Sequence, residues 1–242
     1  MRRSGIRERR NFPEGLADGK PPSFPEGFRI ATRDGPCWAG LVLAGDCRFT
    51  AIDFESAGAA RGRTDVPVQV GLASWSVADG HGGNFVSYLA SESPITWSAR
   101  KVHGIRDEDL AGAPALLALW PELKGRLAGA AVVAHGKGTE KRFLRAFPGH
   151  GFGPWIDTLL LARAAWPDLP EHSLSALCDA FGLSSTVQSM LPGRRWHDAL
   201  YDAVASLVLL EHVMDRFDLS ARPLECLVHP DTAAWHLRRR AV

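Results

Sequence analysis

The chain has 242 residues, 45% of them apolar, and a net charge of +1, which suits one medium-sized domain with extensions, or two small domains, and is too apolar for a disordered chain. So balanced a charge sets up no global field toward nucleic acid or membrane and leaves only local patches for such contacts. Cys37, Cys47, Cys178 and Cys226 form no C-x-x-C and no zinc-finger spacing with histidine; this argues against structural zinc and a disulfide framework, and no apolar run reaches the roughly 18 residues of a membrane span.

The start MRRSGIRERRNF is basic, but no hydrophobic stretch follows it. It does not read as a secretory signal, and a reducing, cytoplasmic setting without membrane attachment is expected. Residues 1–45 are expected to form an N-terminal extension, interrupted by Pro13, Pro21, Pro22 and Pro25 and lacking any helical or strand period. Arg2, Arg3, Arg7, Arg9 and Arg10 offer phosphate contacts, although a solvated tail explains them more simply.

The stretch RFTAIDFES (48–56) alternates as a strand does and ends in Asp53 and Glu55. Side chains alternate faces along a strand, so the two acids share one side with Phe49 and Ala51, while Thr50, Ile52 and Phe54 take the other. Neighbouring carboxylates repel each other. A divalent metal between them is the simple remedy, and a solvated strand end is the bland alternative. VPVQVGLASWSV (66–77) reads as a second strand, DGHGG (79–83) as a turn and NFVSYLA (84–90) as a third strand, which predicts an antiparallel meander.

The pattern then turns helical. An apolar helix is expected over 114–128, kinked or divided by Pro121. AAVVAH (130–135) is a short strand, TEKRFLRAF (139–147) a helix with Thr139 as N-cap, and WIDT (155–158) a brief strand. TLLLARAAW continues as a helix, SLSALCDAFGL runs from Ser173 as N-cap to Gly182 as stop, and residues 197–217 form the longest helix. Helix and strand alternate, which favours parallel pairing. The expected fold is therefore α/β, a mixed sheet flanked by helices over residues 46–216, followed by a C-terminal extension, 217–242, with a basic end.

Four further acids and bases stand out. Asp202 lies off the main apolar stripe of the last helix, on a strip with Ala199, Ser206 and Leu209. A carboxylate facing protein there costs several kcal/mol, order of magnitude, unless paired or metal-bound; its alternative is a first-turn acid suited to the helix dipole. His197 precedes it by five residues. His135 ends the fourth strand and Glu140 opens the helix after it; each also has an ordinary structural reading. Taken together, the four carboxylates at element ends and the nearby histidine are what two-metal phosphodiester cleavage requires, with ions about 3.5–4 Å apart and the histidine taking the water's proton.

The order Asp53-Phe54-Glu55, then AHGKGTEKRFL (134–144), then His197-Asp198-Ala199-Leu200-Tyr201-Asp202 resembles the DEDDh 3′→5′ exonucleases, the group of the bacterial polymerase proofreading subunit and ribonuclease T. VHGIRDEDLAGAP (102–114) and IDTLLLAR (156–163) look like the family's connecting segments. The resemblance covers roughly residues 46–216 and implies a ribonuclease-H-like, five-stranded mixed sheet flanked by helices. It further implies that Asp53, Glu55, Glu140 and Asp202 bind two Mg²⁺ or Mn²⁺ ions and that His197 is the general base. Phe54, Ser56, His103, His135 and Lys137 are the expected substrate-binding residues. The expected substrate is the 3′ end of single-stranded DNA or RNA, released as nucleoside monophosphates, and a polymerase or DNA-repair partner is compatible with this, although no clamp-binding motif is visible. The second motif departs from the family's His-Asn-x-x-Phe-Asp: Gly136 stands for asparagine, Thr139 for phenylalanine and Glu140 for aspartate. A catalytically weakened, exonuclease-fold binding module is the alternative those changes suggest, and an oligoribonucleotide-degrading enzyme is a third reading.

Overall fold

The computed structural model describes residues 42–60, 62 and 64–240. The N-terminal arginines and prolines and Cys37 lie outside them. Strands β1 (Phe49–Ser56), β2 (Pro67–Ser76) and β3 (Gly80–Tyr88) come first, then helices α1 (Trp97–His103) and α2 (Trp120–Leu127). Strand β4 (Ala131–Ala134), helix α3 (Gly138–Phe143), strand β5 (Trp155–Asp157) and helix α4 (Thr158–Ala165) follow. Helices α5 (Leu174–Ala180), α6 (Ser184–Met190), α7 (Ala199–Arg216), α8 (Glu225–Val228) and α9 (Thr232–Arg240) come last. Among the described residues no helix is long and apolar enough to cross a membrane.

The sheet order is β3-β2-β1-β4-β5. The meander β1–β2–β3 is antiparallel, whereas β4 pairs with β1 and β5 with β4 in parallel. This is the mixed five-stranded sheet expected. Alternation along β1 divides the core as period two requires: Phe49 and Ala51 join the core under α7, while Ile52 and Phe54 join a second core with Leu123, Leu127 and Phe143 on the opposite face.

Several local expectations are corrected. The glycines at 80, 82 and 83 lie within β3 rather than in a turn, and the turn falls at residues 77–79. Pro121 opens α2 instead of kinking it, because a proline in the first turn forfeits no intrahelical hydrogen bond; residues 116–119 before it form a 3-10 turn. Thr139 lies inside α3, whose first turn has no side-chain cap of its own. Helix α7 starts at Ala199, capped by Asp198, whose Oδ1 accepts from the amides of Leu200 and Tyr201 at 3.1 and 3.2 Å.

The segment after α7 is part of the main core. Leu219, Leu224, Leu227 and Trp235 are buried in it, and residues 42–45 pair with it: Ala44 N–H donates to the Arg222 carbonyl and Gly45 N–H to the Ser220 carbonyl, both at 2.8 Å.

The start of α7 is fixed to β2 from two sides. The buried Gln69 accepts from the Ala199 amide through Oε1 at 2.9 Å. Two residues on, Gly71 has no Cβ, and one placed there would overlap the Ala199 carbonyl and the Leu200 nitrogen. Gly71 pairs with Asp53, and Gln69 with Glu55, across the strands. The helix backbone therefore occupies the space a side chain would fill, beside the acid pair. Gly71→Ala must push α7 off the sheet and is expected to cost about 1–3 kcal/mol, the range for overpacking a tight interior. A urea titration should show a lower midpoint with unchanged slope.

Candidate active site

Three elements bring the acids together. β1 carries Asp53 and Glu55 on the α7 side of the sheet, α7 brings Asp202 in its first turn, and α3 brings Glu140. One ligand atom each from Glu55, His197 and Asp202 lies within 4.8 Å of the others. Asp53 stands beside this triple: Asp202, Glu55 and Glu140 all add to the burial that pushes its carboxyl well above the usual range. Glu140 is buried outside the triple. The strip of Ala199, Ser206 and Leu209 around Asp202 is buried, as its spacing predicts.

His197 is exposed, precedes α7 rather than lying on it, and adopts a left-handed backbone with φ 64°. Its amide donates to Asp202 Oδ2 at 3.3 Å, which ties the imidazole-bearing loop to the acid. Arg194 holds the same loop by donating to Asp198 Oδ2 at 2.5 Å.

These acids are under electrostatic stress. Burial and the charges of Asp202 and Asp198 push Glu55 up to about 8. Burial pushes Glu140 up to about 7, with Asp157 adding to it, and Asp202 up to about 7, with Asp198 adding to it. Glu140 Oε2 and Asp202 Oδ1 are buried with no hydrogen-bond partner among the described residues. Orphaned carboxylate oxygens within a cluster of acids, with one imidazole beside them, fit a hard divalent cation.

The second motif is held by a residue that sequence reasoning missed. The buried Asp157 accepts from the amides of Gly136 and Lys137 at 3.0 and 3.3 Å, and from those of Leu159 and Leu160 at 3.1 and 3.3 Å. One carboxylate thus caps α4 and pins the turn that leads into α3. A D-T-L-L-L pattern signals the first role, but nothing near Asp157 in sequence signals the second. Gly136 sits at φ 82°, a conformation open to glycine and, among side-chain-bearing residues, tolerated best by asparagine and aspartate. Glycine at 136 therefore meets what the backbone of this turn requires.

The expected substrate-binding residues are scattered. Phe54 packs edge-on against Phe143, 5.4 Å between centroids, on the sheet face away from the acids. Its side chain cannot meet a ligand at the site, because period two sends it the other way. Ser56 offers its backbone, and its carbonyl accepts from His103 Nε2 at 3.1 Å. The other ring nitrogen of His103 accepts from the Ile105 amide at 3.0 Å, and burial lowers its pKa, so this histidine braces the loop as a neutral ring. His135 is likewise committed: Nε2 donates to the His172 carbonyl at 2.9 Å and Nδ1 accepts from Thr158 at 3.0 Å. Beside the acids on the β2–β3 side, Tyr88, His103, Arg195 and His197 border a cleft of about 490 Å³.

A family model described as an exonuclease, RNase T, matches residues 50–210. Exodeoxyribonuclease 10 of Escherichia coli K12 is 32% identical over 165 residues, 68% of this chain and 67% of that protein. A PolC-type DNA polymerase III from Halalkalibacterium halodurans is 28% identical over 190 residues, 76% of this chain but 12% of the polymerase. Among solved structures, exonuclease X in complex with 5′ overhanging duplex DNA aligns with a TM-score of 0.61 at 25% identity, covering 74% of this chain and 99% of that one. The nuclease domain of 3′hExo, a DEDDh family member, shares the fold at 14% identity with a TM-score of 0.57, covering 73% of this chain and 95% of that one.

The raised carboxyl pKa values set the sign of a pH effect. Glu55, Glu140 and Asp202 keep their protons in the folded metal-free chain over a window in which the unfolded chain has released them. Stability is then lost as pH rises from about 4.5 toward about 7 to 8, and changes little beyond. Differential scanning calorimetry in EDTA is expected to give a higher Tm near pH 5 than near pH 8. Neutralising the cluster with Asp202→Asn should shrink the difference.

Proposed function

The chain belongs to the RNase T exonuclease family, and we propose that within it the protein is a divalent-metal-dependent 3′→5′ exonuclease of single-stranded nucleic acid, releasing nucleoside monophosphates. The observation that carries this reading is the pair of orphaned buried oxygens on Glu140 and Asp202, in the cluster that holds the Glu55–His197–Asp202 triple. Divalent ions are the usual cofactors of this family; Asp53, Glu55, Glu140 and Asp202 would hold two of them, Mg²⁺ or Mn²⁺. When bound, such ions supply a more acidic water and offset charge on the leaving oxygen.

The chain's own groups do the rest. His197, exposed beside Glu55 and Asp202, accepts the proton of the attacking water as the general base. Its left-handed backbone and the bond from its amide to Asp202 hold the ring at the cluster. The backbone of β1 after Asp53, with Ser56, lies against the terminal nucleotide and reads no base. The DNA bound to exonuclease X in its solved complex supports a nucleic-acid end as substrate. Likeness to polymerase III chains supports a polymerase or repair partner.

The test is digestion of 5′-labelled single-stranded DNA and RNA, side by side, with Mg²⁺, Mn²⁺ or EDTA. Stepwise shortening from the 3′ end is expected with either ion and none in EDTA. Asp53→Asn and Asp202→Asn are expected to abolish it, and His197→Ala to slow it by about 10²–10⁴-fold, the usual worth of a general base. Shortening that persists in EDTA or in both aspartate variants would sink the reading. Tight strand binding with no cleavage under any ion would establish the binding-module alternative in its place.

A further inference from the structure

A second cleft, of about 540 Å³, opens on the β4–β5 side of the acids. One wall is the start of α3 and the exposed side of α4, with Lys137, Leu160 and Arg163. The other is the link from α8 to α9, with Val228, His229 and Asp231. That second wall lies beyond the region the family model matches, residues 50–210, so the cleft is made partly by this chain's own C-terminal segment.

Its chemistry is two-sided. Leu160, 42% exposed, and Val228 give an apolar lining. Lys137 and Arg163 supply fixed positive charge, and among the described residues neither is in an ion pair. The carboxylate bordering the cleft, Asp231, accepts from the Ala233 amide at 2.8 Å in the first turn of α9, so part of its charge is taken up by the helix. Cations beside apolar surface match a single strand, whose phosphates seek the charge and whose bases cover the apolar lining whatever their sequence. Lys137 also fixes where the cleft begins. Its amide is held by Asp157, and it precedes Glu140 by three residues, one helical turn from the acid cluster.

We propose that this cleft binds the backbone of the same strand upstream of the terminal nucleotide, so that a strand cleaved at the acids is gripped by Lys137, Arg163 and His229 on its 5′ side. The proposal rests on the nuclease reading above for what the strand is, and on the cleft alone for where it lies. It makes affinity depend on substrate length, since a dinucleotide reaches the acids without filling the cleft.

Arg163→Glu and His229→Glu separate the two readings. Anisotropy of a labelled single strand of about ten nucleotides, measured in EDTA, tests the grip without catalysis; each variant is expected to weaken binding about three- to fivefold or more, as removal of an exposed ion pair allows. The slope of log affinity against log salt should fall by about 0.7 for each phosphate that the variant no longer holds. In Mg²⁺, KM on the long strand should rise while KM on a dinucleotide holds, and Arg163→Lys should keep most of the wild-type affinity. Equal changes on long and short substrates, an effect confined to duplex DNA, or no change at all would overturn the proposal. Wild-type protein that binds through Arg163 but cleaves nothing would leave the cleft standing and sink the nuclease reading instead.

Discussion

The site depends on how closely one helix end lies on one strand. The first turn of α7 rests against β2 at Gly71, where its backbone fills the space of a missing side chain, and Gln69 ties down the Ala199 amide. Those two β2 residues face Asp53 and Glu55 in register. The contact that stacks helix on sheet is thus also the one that brings Asp202 and His197 to the β1 acids. Any loosening at β2 moves half of the cluster relative to the other half, which is why a small residue in a strand interior governs a carboxylate on another element.

The fold handles buried negative charge in two different ways. Asp157 is surrounded by four backbone amides and needs nothing more. Asp53, Glu55, Glu140 and Asp202 receive no such treatment. None of them is in an ion pair among the described residues, and two of their oxygens have no partner there. Burying carboxylates without compensation costs several kcal/mol, order of magnitude, per group, or forces them to take up protons. The chain satisfies one acid fully and leaves four to repel one another, and it is these four that the proposed ions would neutralise.

Much of this is legible in the sequence. Period two puts Asp53 and Glu55 on one face, and the i+4 and i+7 neighbours of Asp202 mark it as facing protein, where it is half-buried; both follow from local geometry alone. The same period also sends Phe54 to the far face, so its expected contact with substrate is at odds with the pattern that identifies the acids. The features that escape a sequence reading all depend on long-range approach. Asp157 caps a turn in an earlier part of the chain, Gly71 is a glycine whose reason lies on α7, and Trp235 belongs to a core that its own short, charged helix does not announce. Glutamate at 140 and glycine at 136 read as losses against the family's motif. In the structure the glycine occupies a left-handed turn position that suits it, and the glutamate is a longer acid in a buried place.

The order in which the chain emerges during synthesis gives α7 a further significance. The sheet is complete once β5 has been made, at residue 157, yet the core on the face carrying Phe49, Ala51, Ala73, Trp75 and Val133 is filled by residues between 161 and 235, most of them from α7 onward. The pairing of Ala44 with Arg222 closes only when both segments exist. A nascent chain halted before α7 would present an open apolar sheet face, the kind of surface that associates with its own copies or is held by a chaperone. Completion of the acid cluster and closure of the core then depend on the same late segment of this domain, so that a chain cut short before it is left without Asp202 and with its core open.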